Sequence, residues 1–180
     1  MKVHLSFESL DDGESESTNA LNKLEGREDV LGEIVERLFP GKFTDQEAEV
    51  SIAFVSAPDM QEKNYTYRGI DEPTDVLSFP MWEDQNGVFL PPSDWDVLPL
   101  GDILICENVV RENAHQNGTS YVEELYLMVA HGFLHLLGMD HDTEERQQKM
   151  WLLQSAICKE WLLDEKKSHQ SPSLGGEVTR

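Results

Sequence analysis

Apolar and polar residues alternate at the start of the chain. In KVHLSF the residues Val3, Leu5 and Phe7 share one face, the period of a half-buried strand. The polar run that follows, ESLDDGESEST, reads as a loop. In REDVLGEIVERLF the period changes: Val30, Leu31, Ile34, Val35 and Leu38 recur at helical spacing, and Pro40-Gly41 ends the helix. AEVSIAFVS and TDVLSFP read as the second and third strands, the latter stopped by Pro80. Between them Ser56 is placed to cap a short helix beginning near Pro58. LPLGDILIC predicts a fourth strand, and ENVVRENAHQNG a helix ended by Asn117-Gly118.

Ser120 and Glu123 have capping-box spacing and open the helix SYVEELYLMVAHGFLHLL, which is apolar nearly all round from Leu125 onward. Such a helix belongs in the interior. Asp142 and Glu145 repeat the box before TEERQQKMWLLQSAICKEWLL. Between the third and fourth strands, MWEDQNGVFLPPSDWDV carries a Pro pair, an Asn-Gly and two tryptophans. It suits a long hairpin, and Trp82–Trp95 is expected to form a flap over a cleft. No internal repeat is visible. Strands mixed with helices in irregular order predict an α+β fold: a small mixed sheet packed with helices around a central, buried, histidine-bearing helix. Residues 1–163 are expected to form a single domain, and residues 164–180, charged and then Ser/Pro/Gly-rich, a disordered tail.

Composition narrows the function classes. An apolar share of 39% suffices for one core at this length. No apolar run reaches the ~18 residues of a membrane span. No signal-peptide core precedes the first strand, so a cytoplasmic protein without membrane contact is expected. Cys106 and Cys158 form neither a disulfide framework nor a C-x-x-C knuckle, and are expected in the core as reduced thiols. A net charge of −21 excludes non-specific binding to nucleic acid or anionic lipid, so a polyanionic substrate must meet a metal ion or a few placed cations.

Half of the chain's six histidines fall in HGFLHLLGMDH. His131 and His135, four apart on a helix, present their rings on one face. His141 would lie about 120° round and about 9 Å further along if the helix continued, so it must break first. Gly138 is placed to take the left-handed conformation that turns the chain back. Three neutral imidazoles leave a divalent ion one open position, and a water held there ionises near neutral pH. Zinc is the first candidate, although imidazole also suits nickel, copper and iron. His4, His115 and His169 carry no such pattern. Gly132 stands where H-E-x-x-H proteases carry their glutamate base, so peptide hydrolysis by that route is unsupported. The proton must go to a carboxylate such as Asp140, to the substrate, or to hydroxide already formed on the metal. Asp140 is equally read as supporting the ligands, and Asp142 as a cap.

HGFLHLLGMDH, YRGIDEPTDVLSFP and LGDILIC together resemble the YbeY family of bacterial endoribonucleases, in the family's order. The region from about residue 48 to 162 can be laid on it. The resemblance implies a zincin-like α+β fold and metal-dependent cleavage of single-stranded RNA. It further implies a role in 3′-end maturation of small-subunit ribosomal RNA and in ribosome quality control. The partners would be the ribosomal RNA precursor, the small ribosomal subunit and its proteins. His131, His135 and His141 carry over as ligands of one zinc ion, His131 sharing the catalytic role through that site, and Arg68 as the functional arginine. A guanidinium suits a phosphate that gains charge during reaction; the alternative for Arg68 is an ion pair with Asp71 or Glu72. Thr74, Asp75 and Ser78 are expected to hold the strand, and Asp102 is left open between RNA, a protein partner and its own turn. Two other functions compete: a zinc peptidase-like hydrolase, and a non-catalytic ribosome assembly factor with a structural metal.

Overall fold

The computed structural model describes residues 1–8, 16–84 and 87–168. The alternation at the N-terminus gives β1 (Lys2–Glu8), and the first helical period gives α2 (Asp29–Leu38). Between them lies α1 (Glu16–Asn22), where the sequence suggested only a loop. Three of its residues, Ser17, Ala20 and Leu21, are buried, and Tyr126 donates its hydroxyl hydrogen to the Ala20 carbonyl at 3.1 Å. A seven-residue helix has little stability of its own, so docking rather than propensity makes it.

β2 (Glu47–Phe54) leads to α3 (Ala57–Arg68), whose Ser56 side chain accepts from the Asp59 N–H as a cap. β3 (Val76–Pro80) and β4 (Val97–Ile105) follow, then α4 (Glu107–Asn117), α5 (Tyr121–Leu136) and α6 (Glu144–Ser168). The sheet order is β1–β2–β4–β3. β1, β2 and β4 run parallel, and β3 is antiparallel to β4. The sheet is therefore mixed and the fold α+β, as the sequence suggested.

α5 packs on β3 and β4 and is flanked by α4 and α6. Leu125, Tyr126, Val129, Ala130, Phe133, Leu134 and Leu136 are all fully buried along it. Both halves of the predicted capping box at Ser120 and Glu123 are present. The approach to the sheet is close at Gly132, where a Cβ would lie 2.9 Å from Ile103 Cγ2 and 3.1 Å from Ser78 Oγ. Position 132 therefore has no room for a glutamate of the protease kind, and the missing residue noted in the sequence has a packing reason.

α6 turns Met150, Leu153, Ile157 and Trp161 into the core. Its start differs from expectation by one residue: Thr143 Oγ1 accepts from the Arg146 N–H at 3.3 Å, while Asp142 pairs with the Arg146 guanidinium at 2.8 Å. The helix also reaches Ser168, into the segment expected to be tail. The remainder of that tail, with His169, lies outside the described residues. Both cysteines are free thiols, Cys106 buried and Cys158 partly so, and burial pushes the Cys158 thiol up to about 12. No helix among the described residues is long and apolar enough to cross a membrane.

Candidate metal centre

The break predicted after His135 is a complete Schellman turn. The Met139 N–H donates to the Leu134 carbonyl at 3.1 Å and the Gly138 N–H to the His135 carbonyl at 2.9 Å. Gly138 sits at φ +75°. The turn reverses the chain and returns His141 to the face that carries His131 and His135. One nitrogen from each ring lies within 4.8 Å of the other two. The His131 and His135 Nε2 atoms are 3.0 Å apart, and the His141 ring centroid lies 5.5 and 5.3 Å from theirs.

This donor set fits a divalent ion. Ligand bonds of about 2.0–2.1 Å in a tetrahedral site separate two nitrogens by roughly 3.3 Å, close to the His131–His135 spacing. The chemistry fits as well, because burial lowers the His131 pKa and lowers that of His135 to about 4, with the neighbouring His rings adding to the His135 shift. Both rings are thus neutral, ligand-ready donors at neutral pH.

For the metal-free chain the shift defines a pH window. An unfolded histidine protonates near 6.5 and the folded His135 near 4, so stability is complete above the higher value and falls as pH drops towards the lower. We expect a loss of about 2 kcal/mol across that window for a half-buried ring. It is read as the difference in urea midpoint between wild type and His135→Ala at pH 7 and pH 4.5. Parallel pH profiles of the two proteins would exclude it.

A cleft of about 280 Å³ surrounds the triad, lined also by Arg68, Ser78, Glu83 and Asp140. Arg68 ends α3 with its guanidinium exposed. It forms no ion pair among the described residues: Asp71 accepts instead from Gln61, and the Glu72 carbonyl from Asn64. Among the described residues Arg68 is therefore a cation without an ion-pair partner, lining the same cleft as the triad. Asp140 Oδ1 accepts the His141 backbone N–H at 2.7 Å.

Other candidates lie elsewhere. Asp75 ties the start of β3 to α4, accepting from the Val76 N–H at 2.8 Å and from Asn113 at 3.0 Å. Asp102 is not brought to the histidines. Ile103 faces α5, so its neighbour Asp102 points to the opposite face of the sheet, into a depression with Lys63, Tyr67 and Phe79. His4 pairs with Glu47 across β1 and β2 at 3.0 Å, and His115 is exposed on α4.

The Trp82–Trp95 segment borders the cleft as a wall. Its described part forms a small hairpin in which the Leu90 N–H donates to the Trp82 carbonyl at 2.8 Å. Phe89 anchors it between Phe39 and Phe43, and the Trp82 Nε1–H donates to the Pro99 carbonyl at 2.7 Å. The hairpin supplies Glu83 to the cleft, a carboxylate that reading the sequence missed. Gln154 was missed too: its Oε1 lies 3.0 Å from His131 Nδ1, across the α5–α6 packing. Neither had a signal in the sequence, because both reach the site through tertiary packing alone.

Fold and cleft together define a class: an α+β protein with a three-histidine cluster able to hold a metal, and an arginine in the same cleft. The particular family follows from comparison. The family model described as endoribonuclease YbeY matches residues 14–162, and the chain belongs to that family. The match begins well upstream of the region the motifs alone delimited.

Among its relatives, the endoribonuclease YbeY of Acetivibrio thermocellus is 44% identical over 116 residues, covering 62% of this chain and 72% of that one. The Staphylococcus aureus protein of the same name is 43% identical over 117 residues, covering 63% and 72%. A Thermotoga maritima protein of known solution structure superposes with a TM-score of 0.54 at 28% identity, covering 96% of this chain and 100% of that one.

Proposed function

We propose that this chain is a zinc-dependent endoribonuclease that prefers single-stranded RNA and acts on precursors of small-subunit ribosomal RNA. It would serve 3′-end maturation and ribosome quality control in the cytoplasm, on a zincin-like scaffold, with the small ribosomal subunit and its proteins as partners. The observation that carries this reading is the shared cleft, where His131, His135, His141 and Arg68 line one space in a chain of net charge −21. Bulk charge repels a phosphodiester, so a placed cation and a metal are what bring one in.

His131 and His135 would hold the ion through Nε2, and His141 would complete the set. Bound there, zinc would supply Lewis acidity and lower the pKa of a water. The Arg68 guanidinium donates to two non-bridging phosphate oxygens and stabilises the charge they gain as the phosphorus is attacked. The proton lost by the attacking oxygen has two acceptors in the cleft, the Glu83 carboxylate and the Asp140 oxygen that does not hold the His141 N–H. Attack by water breaks the P–O3′ bond; the carboxylate that took the water's proton passes it to the departing 3′ oxygen, which leaves a 3′-hydroxyl on one fragment and a 5′-phosphate on the other. Attack by the RNA 2′-hydroxyl would instead expel the 5′ oxygen and leave a 2′,3′-cyclic phosphate. End-group analysis separates the two, and a cyclic phosphate would rule out water as the nucleophile.

Two competitors make different predictions. A peptidase of the H-E-x-x-H kind needs a carboxylate at position 132, which the 2.9 Å approach to Ile103 denies. A non-catalytic assembly factor needs no Arg68. We expect Arg68→Glu to keep its metal and its thermal midpoint and to lose about 10²–10³-fold in RNA cleavage. Intact ribosomal RNA processing in cells that carry that variant, with no RNA cleavage by the purified wild type and unfolding on chelation of the metal, would favour the assembly factor.

A further inference from the structure

The proposed metal site raises a question that the three histidines do not answer: what keeps each ring in the tautomer that offers a lone pair to the cleft? An imidazole presents a lone pair on Nε2 only when its hydrogen is on Nδ1. The His131 Nε2 atom faces that of His135 at 3.0 Å, and its Nδ1 faces Gln154 Oε1 at 3.0 Å. His135 lies at the end of its own helix, beside the backbone of the turn that follows it. His131 depends on a side chain from another helix.

That side chain is held in place. Gln154 is half-buried and follows Leu153 on the flank of the stripe formed by Met150, Leu153, Ile157 and Trp161, which fixes α6 against α5. Among the described residues His131 is the one hydrogen-bond partner of the Gln154 side chain. We propose that Gln154 is a positioning residue for the metal site: its Oε1 accepts the Nδ1 hydrogen of His131, selects that tautomer, and fixes the rotation of the ring about its Cβ–Cγ bond. This rests on the metal reading proposed above.

A carboxamide can also turn its NH₂ towards the ring and favour the wrong tautomer, whereas a carboxylate can only accept. Gln154→Glu should therefore bind zinc at least as tightly as wild type. Gln154→Leu, which keeps the apolar stem and removes the acceptor, should bind about 10–100-fold more weakly in competition with a chromogenic chelator. Nitrogen NMR of the metal-free proteins gives a second readout, in which wild-type His131 carries its hydrogen on Nδ1 and the Leu variant shifts towards Nε2.

Equal zinc affinity in wild type and Gln154→Leu would overturn the proposal. So would a Glu variant as weak as the Leu variant, or a loss of affinity matched by a fall in the metal-free thermal midpoint. Failure of the underlying metal reading looks different: wild type and His131→Ala would then be alike in binding no zinc.

Discussion

His135→Ala is expected to abolish stoichiometric metal binding and to reduce RNA cleavage by about 10³-fold or more. His135 is one of the two donors on the helix: its Nε2 lies 3.0 Å from that of His131 and its ring centroid 5.3 Å from that of His141. Without it, the remaining pair must span the cleft from either side of the turn, and two imidazoles alone hold a divalent ion weakly. The ring contributes little to the fold, since it is half-buried and its neutrality already reflects poor solvation. The variant should therefore keep its far-ultraviolet dichroism and its metal-free thermal midpoint. Metal content after dialysis and single-turnover cleavage of a single-stranded RNA measure the two effects. A variant that retains cleavage while losing its metal would refute a catalytic role for the triad.

The second large effect falls on a residue with no side chain. Gly138→Ala forces a Cβ into the left-handed region, which costs about 1–2 kcal/mol. The same Cβ would lie 2.9 Å from the Gly87 carbonyl oxygen and 3.1 Å from the Phe89 nitrogen. Those are backbone atoms of the hairpin anchored by Phe89, so neither can move aside cheaply, and overpacking adds about 1–3 kcal/mol. A total near 3 kcal/mol corresponds to a fall of roughly 10 °C in thermal midpoint for a domain of this size. Gly118 is the matched control: its φ is +69°, but a Cβ there meets nothing within 4 Å. Gly118→Ala should cost only the conformational term, about 1 kcal/mol. Gly138→Ala should also weaken metal binding, because it displaces the turn that delivers His141. Equal midpoints for the two variants would show that the hairpin does not bear on the turn.

The contrast between those glycines shows what was legible in the sequence. The left-handed turn could be read because it is local: two histidines four apart, a glycine three residues later, and a third histidine beyond. Strands and helices with a clear period were legible for the same reason, within one or two residues at their ends except at the end of α6, which runs on to Ser168. What could not be read depends on which faces meet. Glu83 and Gln154 reach the cleft through a hairpin and a helix whose docking no spacing reveals. α1 exists because Ala20 and Leu21 find a cover in the core, and nothing in its short, mostly polar sequence announces that. Asp102 is instructive in another way. Alternation along LGDILIC already separated it from Ile103 and Ile105, but only the position of α5 says which of the two faces is the functional one. Gly132 combined both cases: its chemistry as an absent base was plain, while its cause, the nearness of Ile103 and Ser78, needed the packed sheet.

The proposed ligands share one short segment, His131 to His141, and this shapes the thermodynamics of the metal. Closing a chain of that length costs little entropy, and the cost would rise only slowly with length. The unfolded protein thus keeps the means to gather the same imidazoles around an ion, with residual affinity for it. Ligand linkage stabilises a fold only by the difference between native and unfolded affinities. Zinc should therefore raise the unfolding free energy by less than its native-state affinity implies, and the shortfall measures how much of the site the bare segment assembles by itself.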